Sequence, residues 1–456
     1  MKPTYEELEK LLMKALEAIA RLNAEVSKLK DQINRNSKNS SKPPSTDQKN
    51  NTSEKEKKPR ASRAGKAREP FPPERIDKHI ECGCDNCSHC GSEYIQWNGG
   101  AELFQQAELP EAKAIITQYE LLKYTCMRCK KDSLAPLPKG VPDSAFDPRL
   151  MSLLATLTGV FHLAKREAIQ LIKELYEVDI STGSVSNIEE RVAEALDPIY
   201  QRIHSFVMDS KFCKHFDETS WRDKGKRHYV WLACCEQAAF YMINKRRSAE
   251  AFRKIFTVRL DDVSAVTDRY AVYSIFKVHQ YCLAHLVREF RSYAERDGPD
   301  QEIGKALENE LKKACHIHKK YREGKITLKQ RNQCLGHSKR RTKINLEDGI
   351  ANGRDELSGL CDTLWDNFDK LWTFTKTFGM EPTNNLAERD LRKLVIWRRK
   401  SYGTRSERGK RFVERITTIS QTLKRQSKSI LSFIQEAVEG FYAEAFTPFI
   451  SESMGY

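Results

Sequence analysis

Residues 211–247 read KFCKHFDETSWRDKGKRHYVWLACCEQAAFYMINKRR. Three β-rich runs, KFCKHFDETSWR, RHYVWLACCEQ and AAFYMINKRR, are separated by short turn-forming stretches, a pattern that predicts an antiparallel three-strand meander. Downstream, SAEAFRKIF has helical spacing and DDVSAVTD reads as a fourth strand leading into RYAVY. VHQYCLAHLVREFRSY begins extended and turns helical. Asp217 is expected to close the first strand and Asp268 the fourth. Glu218, Asp209, Asp223 and Asp262 are nearby competitors, and a lone Asp at a strand end is commonly a turn or cap residue.

A third carboxylate lies far along the chain, in residues 381–411, EPTNNLAERDLRKLVIWRRKSYGTRSERGKR. Of the 23 residues from Arg389 to Arg411, ten are Lys or Arg, which makes a phosphate-seeking surface around Glu388. Arg389, Arg392, Arg398, Arg399 and Lys400 are the candidate phosphate contacts. The plainer alternative is a solvated basic helix whose Glu388 pairs with Arg392 at i+4. Three strands, helix, strand, helix is the order of an RNase H-like fold. There a first-strand carboxylate lies beside one at the end of the fourth strand, and a third arrives on a later helix. Asp217, Asp268 and Glu388 fit those places. Three gathered carboxylates repel one another unless cations share them, which suits two Mg²⁺ (or Mn²⁺) ions about 4 Å apart in phosphoryl transfer.

The 456-residue chain should hold roughly two to four domains. Its 78 basic and 63 acidic residues give a formal charge of +15, which suggests a polyanionic partner. With no apolar run of about 18 residues and no apolar core in MKPTYEELEK, neither membrane spanning nor secretion is expected. A cytoplasmic, nucleoid-associated protein is expected instead. Of thirteen cysteines, six fall between Cys82 and Cys129 in tight pairs, which in a reducing compartment favours a metal site plus ordinary buried thiols.

In chain order the expectation is a multidomain α+β protein. Leu8, Leu12, Ala15, Ile19, Leu22, Val26, Leu29 and Ile33 keep a 4-3-4-3 spacing, a coiled-coil seam over 1–34 that implies a homo-oligomer. Residues 35–78, rich in Pro, Ser, Asn and Lys, read as a disordered basic linker. Residues 79–134 read as a zinc-ribbon-like domain. Cys87-x-x-Cys90 and Cys126-x-x-Cys129 would hold one structural Zn²⁺, and AIITQYELLKY would supply strands between them. Cys84 with Cys87 competes, but the Gly after Cys90 suits the tight knuckle better. Residues 145–208 show three helical patterns in a helix-turn-helix-like region, with a plain helical spacer as the alternative. The catalytic domain would run over 209–296, break for a helical insertion at 297–379, and resume with C-terminal helices at 380–445. Trp365 and Trp372 lie on an aromatic stripe at helical spacing, which is core more often than a base-stacking surface.

HFDETSW, TDRYAVY, HQYCLAHLVREF and PTNNLAERDLRKLVIWRRKSYGTRSERG closely resemble the insertion-sequence-66 family of bacterial DDE transposases. NSSKPPS after a coiled coil and the paired cysteines look like that family's N-terminal parts, so the resemblance covers nearly the whole chain. It implies a DNA transposase that hydrolyses a phosphodiester at transposon ends and transfers the strand into target DNA, sometimes with accessory proteins of the same element. It implies Asp217, Asp268 and Glu388 as catalytic carboxylates, and matches Cys282 and His285 to a C-x-x-H signature of related transposases. Arg269 stands where that pattern commonly has Gly. Two ligands do not make a metal site, so Cys282 and His285 read as a buried structural pair. The rival readings are an RNase H-like metal-dependent nuclease that never joins DNA, and a non-catalytic zinc-ribbon DNA-binding protein.

Overall fold

A computed structural model of the chain describes residues 4–34, 36, 69–209, 211–257 and 263–445. Most of the expected linker (35 and 37–68), and the competitor Asp262, lie outside the described residues. The chain divides into two compact units, Met1–Gln48 with Ile116–Tyr456, and Lys49–Ile115.

The smaller unit has no strand among its described residues. It holds a 3-10 turn at Pro73–Arg75, and the side chain of Gln105 accepts from the Phe71 amide and donates to its carbonyl. The strands expected within AIITQYELLKY are confined to β1 (Lys123–Thr125), which pairs with β2 (Asp132–Leu134). The reason is lack of cover: Leu103, Phe104, Leu109, Ile115 and Ile116 are all exposed. An extended segment with no apolar face to bury has nothing to hold a ladder.

In the larger unit, α1 (Tyr5–Asn34) carries its apolar seam uncovered, with Leu8, Leu12, Ile19, Leu22, Val26, Leu29 and Ile33 each about half exposed or more. Three helices follow: α2 (Pro148–Gly159), α3 (Lys165–Tyr176) and α4 (Thr182–Asp209). Asp147 caps α2 by accepting from the Leu150 amide, with Pro148 at the first helical position.

The sheet comes next. Strands β3 (Lys214–Asp223), β4 (Lys226–Cys234) and β5 (Ala239–Asn244) form the antiparallel meander. Helix α5 (Ala249–Ile255) leads to β6 (Ser264–Thr267), and β7 (Val278–Tyr281) completes the order β5-β4-β3-β6-β7. β6 runs parallel to β3, and β7 parallel to β6. Asp217 does not close β3; it is the fourth of ten residues, opposite Leu232. The ladder runs on to Asp223 and Lys226 because Lys224 and Gly225 both take positive φ, the two-residue turn that matches strand twist.

Two apolar cores flank the sheet. One joins α2, α4 and β3–β5 to the C-terminal helices α11 (Glu407–Arg425) and α12 (Ile430–Tyr442), through residues such as Leu196, Phe216, Trp231, Ile416 and Ile434. The other joins α6 (Leu283–Ala294) to α7 (Pro299–Arg322), α8 (Leu328–Asn352) and α9 (Asp355–Asp366), through Phe290, Leu307, Leu346 and Leu364. Trp372 is buried in this second core, whereas Trp365 lies at its margin beneath the Lys343 ammonium. The edge strand β5 is sealed by α11: Thr422, Thr418 and Glu414 accept from the amides of Ala239, Tyr241 and Ile243. These are donors an open edge would offer to another chain.

Candidate acidic site

Asp217 lies half-buried on the central strand of the sheet. Its pKa is pushed well above the usual carboxylate range, first by burial, then by the charges of Glu218 and Asp268 and further by Glu388. The Glu218 amide donates to Asp217 at 2.8 Å and pulls the other way. Asp268 follows the last residue of β6 and accepts from the Tyr270 amide at 3.0 Å. Arg269, beside it, pairs with Glu289 of α6. The competitor Glu218 is buried and already bound by Arg247 and the Tyr273 hydroxyl. Asp223 accepts from Thr404 Oγ1 at 2.7 Å.

Glu388 stands in the first turn of α10 (Asn385–Ser401). Its partner is not Arg392. Oε1 accepts from Arg288 Nη2 at 3.1 Å and lies 3.3 Å from His285 Nδ1, both on α6. Cys282, His285 and Arg288 are spaced by three and share one helical face. Cys282, His285 and Glu388 offer ligand atoms all within 4.8 Å of one another.

The residue that sets this geometry is Asn384, fully buried just before α10. Its Oδ1 bonds His215 Nδ1 at 3.0 Å, its Nδ2 donates to the Phe216 carbonyl at 2.8 Å, and its amide donates to Cys282 Sγ at 3.0 Å. One asparagine thus ties α10 to β3, just before Asp217, and to the start of α6. Sequence reasoning passed over Asn384; an Asn at a helix entry signals only a cap, and its partners lie more than 100 positions away. Burial holds the His215 pKa down to about 4.

The arginines divide into two kinds. Arg398 donates to Ser220 and Thr219 of β3 and so holds α10 on the sheet. Arg389 and Arg392 are exposed and line a cavity of about 1570 Å³ with Arg202, Lys211, Lys319 and Glu388. Arg399 and Lys400 are exposed at the far end of α10. Beyond it, Gly403 has φ +96 and an added Cβ would meet the Arg222 carbonyl oxygen at 2.0 Å. That approach lets Thr404 exchange backbone bonds with Arg222 and Lys224, fastening the segment to the end of β3.

The two Cys-x-x-Cys turns share one hydrogen-bond pattern. Cys87 donates to the Ser92 carbonyl and accepts from the Gly91 amide; Cys126 does the same with Lys131 and Lys130. Gly91 and Lys130 both take positive φ. Backbone amides within each turn lower the pKa of Cys87 and of Cys126.

The mixed sheet, its buried carboxylate and the basic helix beside it make this a mixed α/β protein with an acidic site set in a cationic surface. A family model described as "Transposase IS66 family" matches residues 143–411, more than half of the chain, and the chain belongs to that family. Membership suggests DNA transposase activity and an enzyme acting on DNA. Another family model, described as "Family of unknown function (DUF6444)", matches residues 2–72. No curated protein matches the chain. Among the described residues, no helix is long and apolar enough to cross a membrane.

Proposed function

We propose that the chain is a DDE transposase whose RNase H-like domain cuts DNA at the transposon end and joins the freed strand to target DNA. The observation that carries this is the Asp217 carboxyl on the central strand, its pKa raised first by burial and then by the charges of Glu218, Asp268 and Glu388. Such a group ionises readily only beside a cation, so Asp217, Asp268 and Glu388 suit two Mg²⁺ or Mn²⁺ ions. Those ions, when bound, activate a hydroxyl and stabilise the leaving oxygen. In the first reaction water forms a bond to phosphorus and the 3′ oxygen leaves as a hydroxyl. In the second that hydroxyl attacks a target phosphorus and displaces the target's own 3′ oxygen. Asn384 keeps Glu388 beside β3, and Arg389, Arg392, Arg399 and Lys400 offer positive charge to the DNA. Arg398 acts in holding α10.

Around this centre, residues 145–208 serve as a helical DNA-binding-type region, and 297–379 as a helical lobe inserted in the catalytic domain. The spacing of the cysteines and the geometry of each turn favour one structural Zn²⁺ on Cys87, Cys90, Cys126 and Cys129. The uncovered seam of α1 pairs with a second copy; removing residues 1–33 should halve the mass by light scattering, and an unchanged mass rejects it.

The test is Mg²⁺-dependent cleavage and strand transfer on element-end DNA. Asp217→Asn, Asp268→Asn and Glu388→Gln should each abolish both steps, and wild-type activity in any one rejects that residue. Cleavage without joined product selects the nuclease reading; binding indifferent to all three changes and to Mg²⁺ selects the non-catalytic one.

A further inference from the structure

We propose that Cys282, His285 and Glu388 form a Zn²⁺ site that competes with the acidic site for Glu388. Sequence spacing gave only two of these ligands; the fold supplies the third from α10, placing all three ligand atoms within 4.8 Å of one another. A tetrahedral zinc with bonds of about 2.0–2.2 Å to nitrogen and oxygen sets those two ligand atoms roughly 3.4 Å apart. His285 Nδ1 and Glu388 Oε1 already lie 3.3 Å apart. Nδ1 is buried and makes no hydrogen bond, and in the neutral tautomer protonated at Nε2 it presents a lone pair beside Glu388 Oε1.

The sulfur is prepared in the same way. Cys282 is buried at the N-cap of α6, and its Sγ accepts from the Asn384 amide at 3.0 Å. Burial raises the pKa of the metal-free thiol to about 11, and the amides of Asn384, His285 and Ala284 oppose that rise. Backbone donors around a sulfur are the surroundings of a metal-bound thiolate. A thiolate, an imidazole and a carboxylate select Zn²⁺ over Mg²⁺, which takes oxygen ligands, and leave a fourth position open.

Arg288 holds the same Glu388 oxygen at 3.1 Å and would give it up to the metal. Zinc therefore replaces an internal ion pair and fixes Glu388 against α6. On the reading of Glu388 as a catalytic carboxylate, and only on that reading, the consequence is inhibition of Mg²⁺-dependent cleavage by zinc.

The experiment uses the full chain, reduced and stripped of metal, titrated with Co²⁺ as a spectroscopic stand-in for zinc. In the Cys87→Ser/Cys126→Ser background, one Co²⁺ should bind with a single-thiolate charge-transfer band. His285→Gln should weaken that binding by at least the roughly 10–100-fold that losing even an outer partner costs. Cys282→Ser should abolish the band. Absence of the band in that background, or its survival unchanged in His285→Gln, overturns the site. His285→Gln decides the matter if Cys282→Ser does not fold. Binding without zinc inhibition of cleavage would keep the site and reject the catalytic reading of Glu388, so the two failures are distinguishable.

Discussion

Replacing Asn384 with Ala tests the claim that one buried amide positions the acidic site. The backbone bond to Cys282 Sγ survives, but the two side-chain bonds, to His215 Nδ1 and to the Phe216 carbonyl, are lost. Both abandoned partners belong to buried residues. Each unsatisfied buried group costs about 1–3 kcal/mol, so the change should cost roughly 2–6 kcal/mol. Against a typical domain stability of about 5–15 kcal/mol that is a large fraction. The assay is urea denaturation of the full chain followed by tryptophan fluorescence, which reports Trp221 and Trp231 in the sheet. Hydrogen exchange at the amides of α10 should show its first turn opening before the rest. Cleavage should fall further than stability explains, because a displacement of about 1 Å at Glu388 is worth about 100-fold. A stability loss below about 1 kcal/mol with normal exchange in α10 would refute the reasoning.

Three further outcomes follow from the same contacts. Asp217→Asn should raise the melting temperature of the metal-free protein at neutral pH. With its folded pKa raised, Asp217 contributes stability that is fully present below about pH 4 and is lost as pH rises through the folded value. The gap between variant and wild type should thus close on acidification, and excess Mg²⁺ should stabilise only the wild type; a variant less stable at pH 7 contradicts this. His215 shows the opposite sign, because its folded pKa of about 4 lies below the ordinary 6.5. Its contribution, about 3 kcal/mol, is present above pH 6.5 and lost as pH falls through 4, and His215→Gln should flatten that part of the stability profile in urea titrations. Gly403→Ala places a Cβ against the Arg222 carbonyl at a φ that L side chains rarely adopt. It should cost roughly 2–5 kcal/mol and loosen the contact of residues 402–404 with β3, measured by denaturation and by exchange at the Thr404 amide.

The sheet was legible because its strands are β-rich runs parted by turn-forming stretches such as Lys-Gly; the helices were legible from apolar spacing. The error at Asp217 was one of placement, because the first β-rich run, read as KFCKHFDETSWR, already passes beyond it to Arg222. The sequence DKGK at 223–226 is itself the turn, and reading it so places the strand end at Asp223. The role of Arg398 was also within reach. Leu391, Leu394 and Arg398 follow one another at intervals of three and four, so the arginine shares the face that packs on β3, and charge counting alone hid it. The expected ribbon strands failed for the reverse reason, since β-rich residues there have no second apolar layer to cover them.

What no local pattern encodes is convergence. Asn384 meets residues 168 and 169 positions earlier on β3 and one 102 positions earlier at Cys282, and Glu388 meets Arg288 across 100. Each contact is polar, and those of Asn384 are buried, so they are costly to leave unmade and specify one arrangement among many apolar ones. The same economy explains why Glu388 belongs in the first turn of a helix rather than on a third strand. There the helix dipole offers it positive potential, and Arg288 faces it from α6. On the proposed reading the cationic helix that follows offers its charge to DNA, and the raised pKa of Asp217 makes a bound cation the condition for its ionisation.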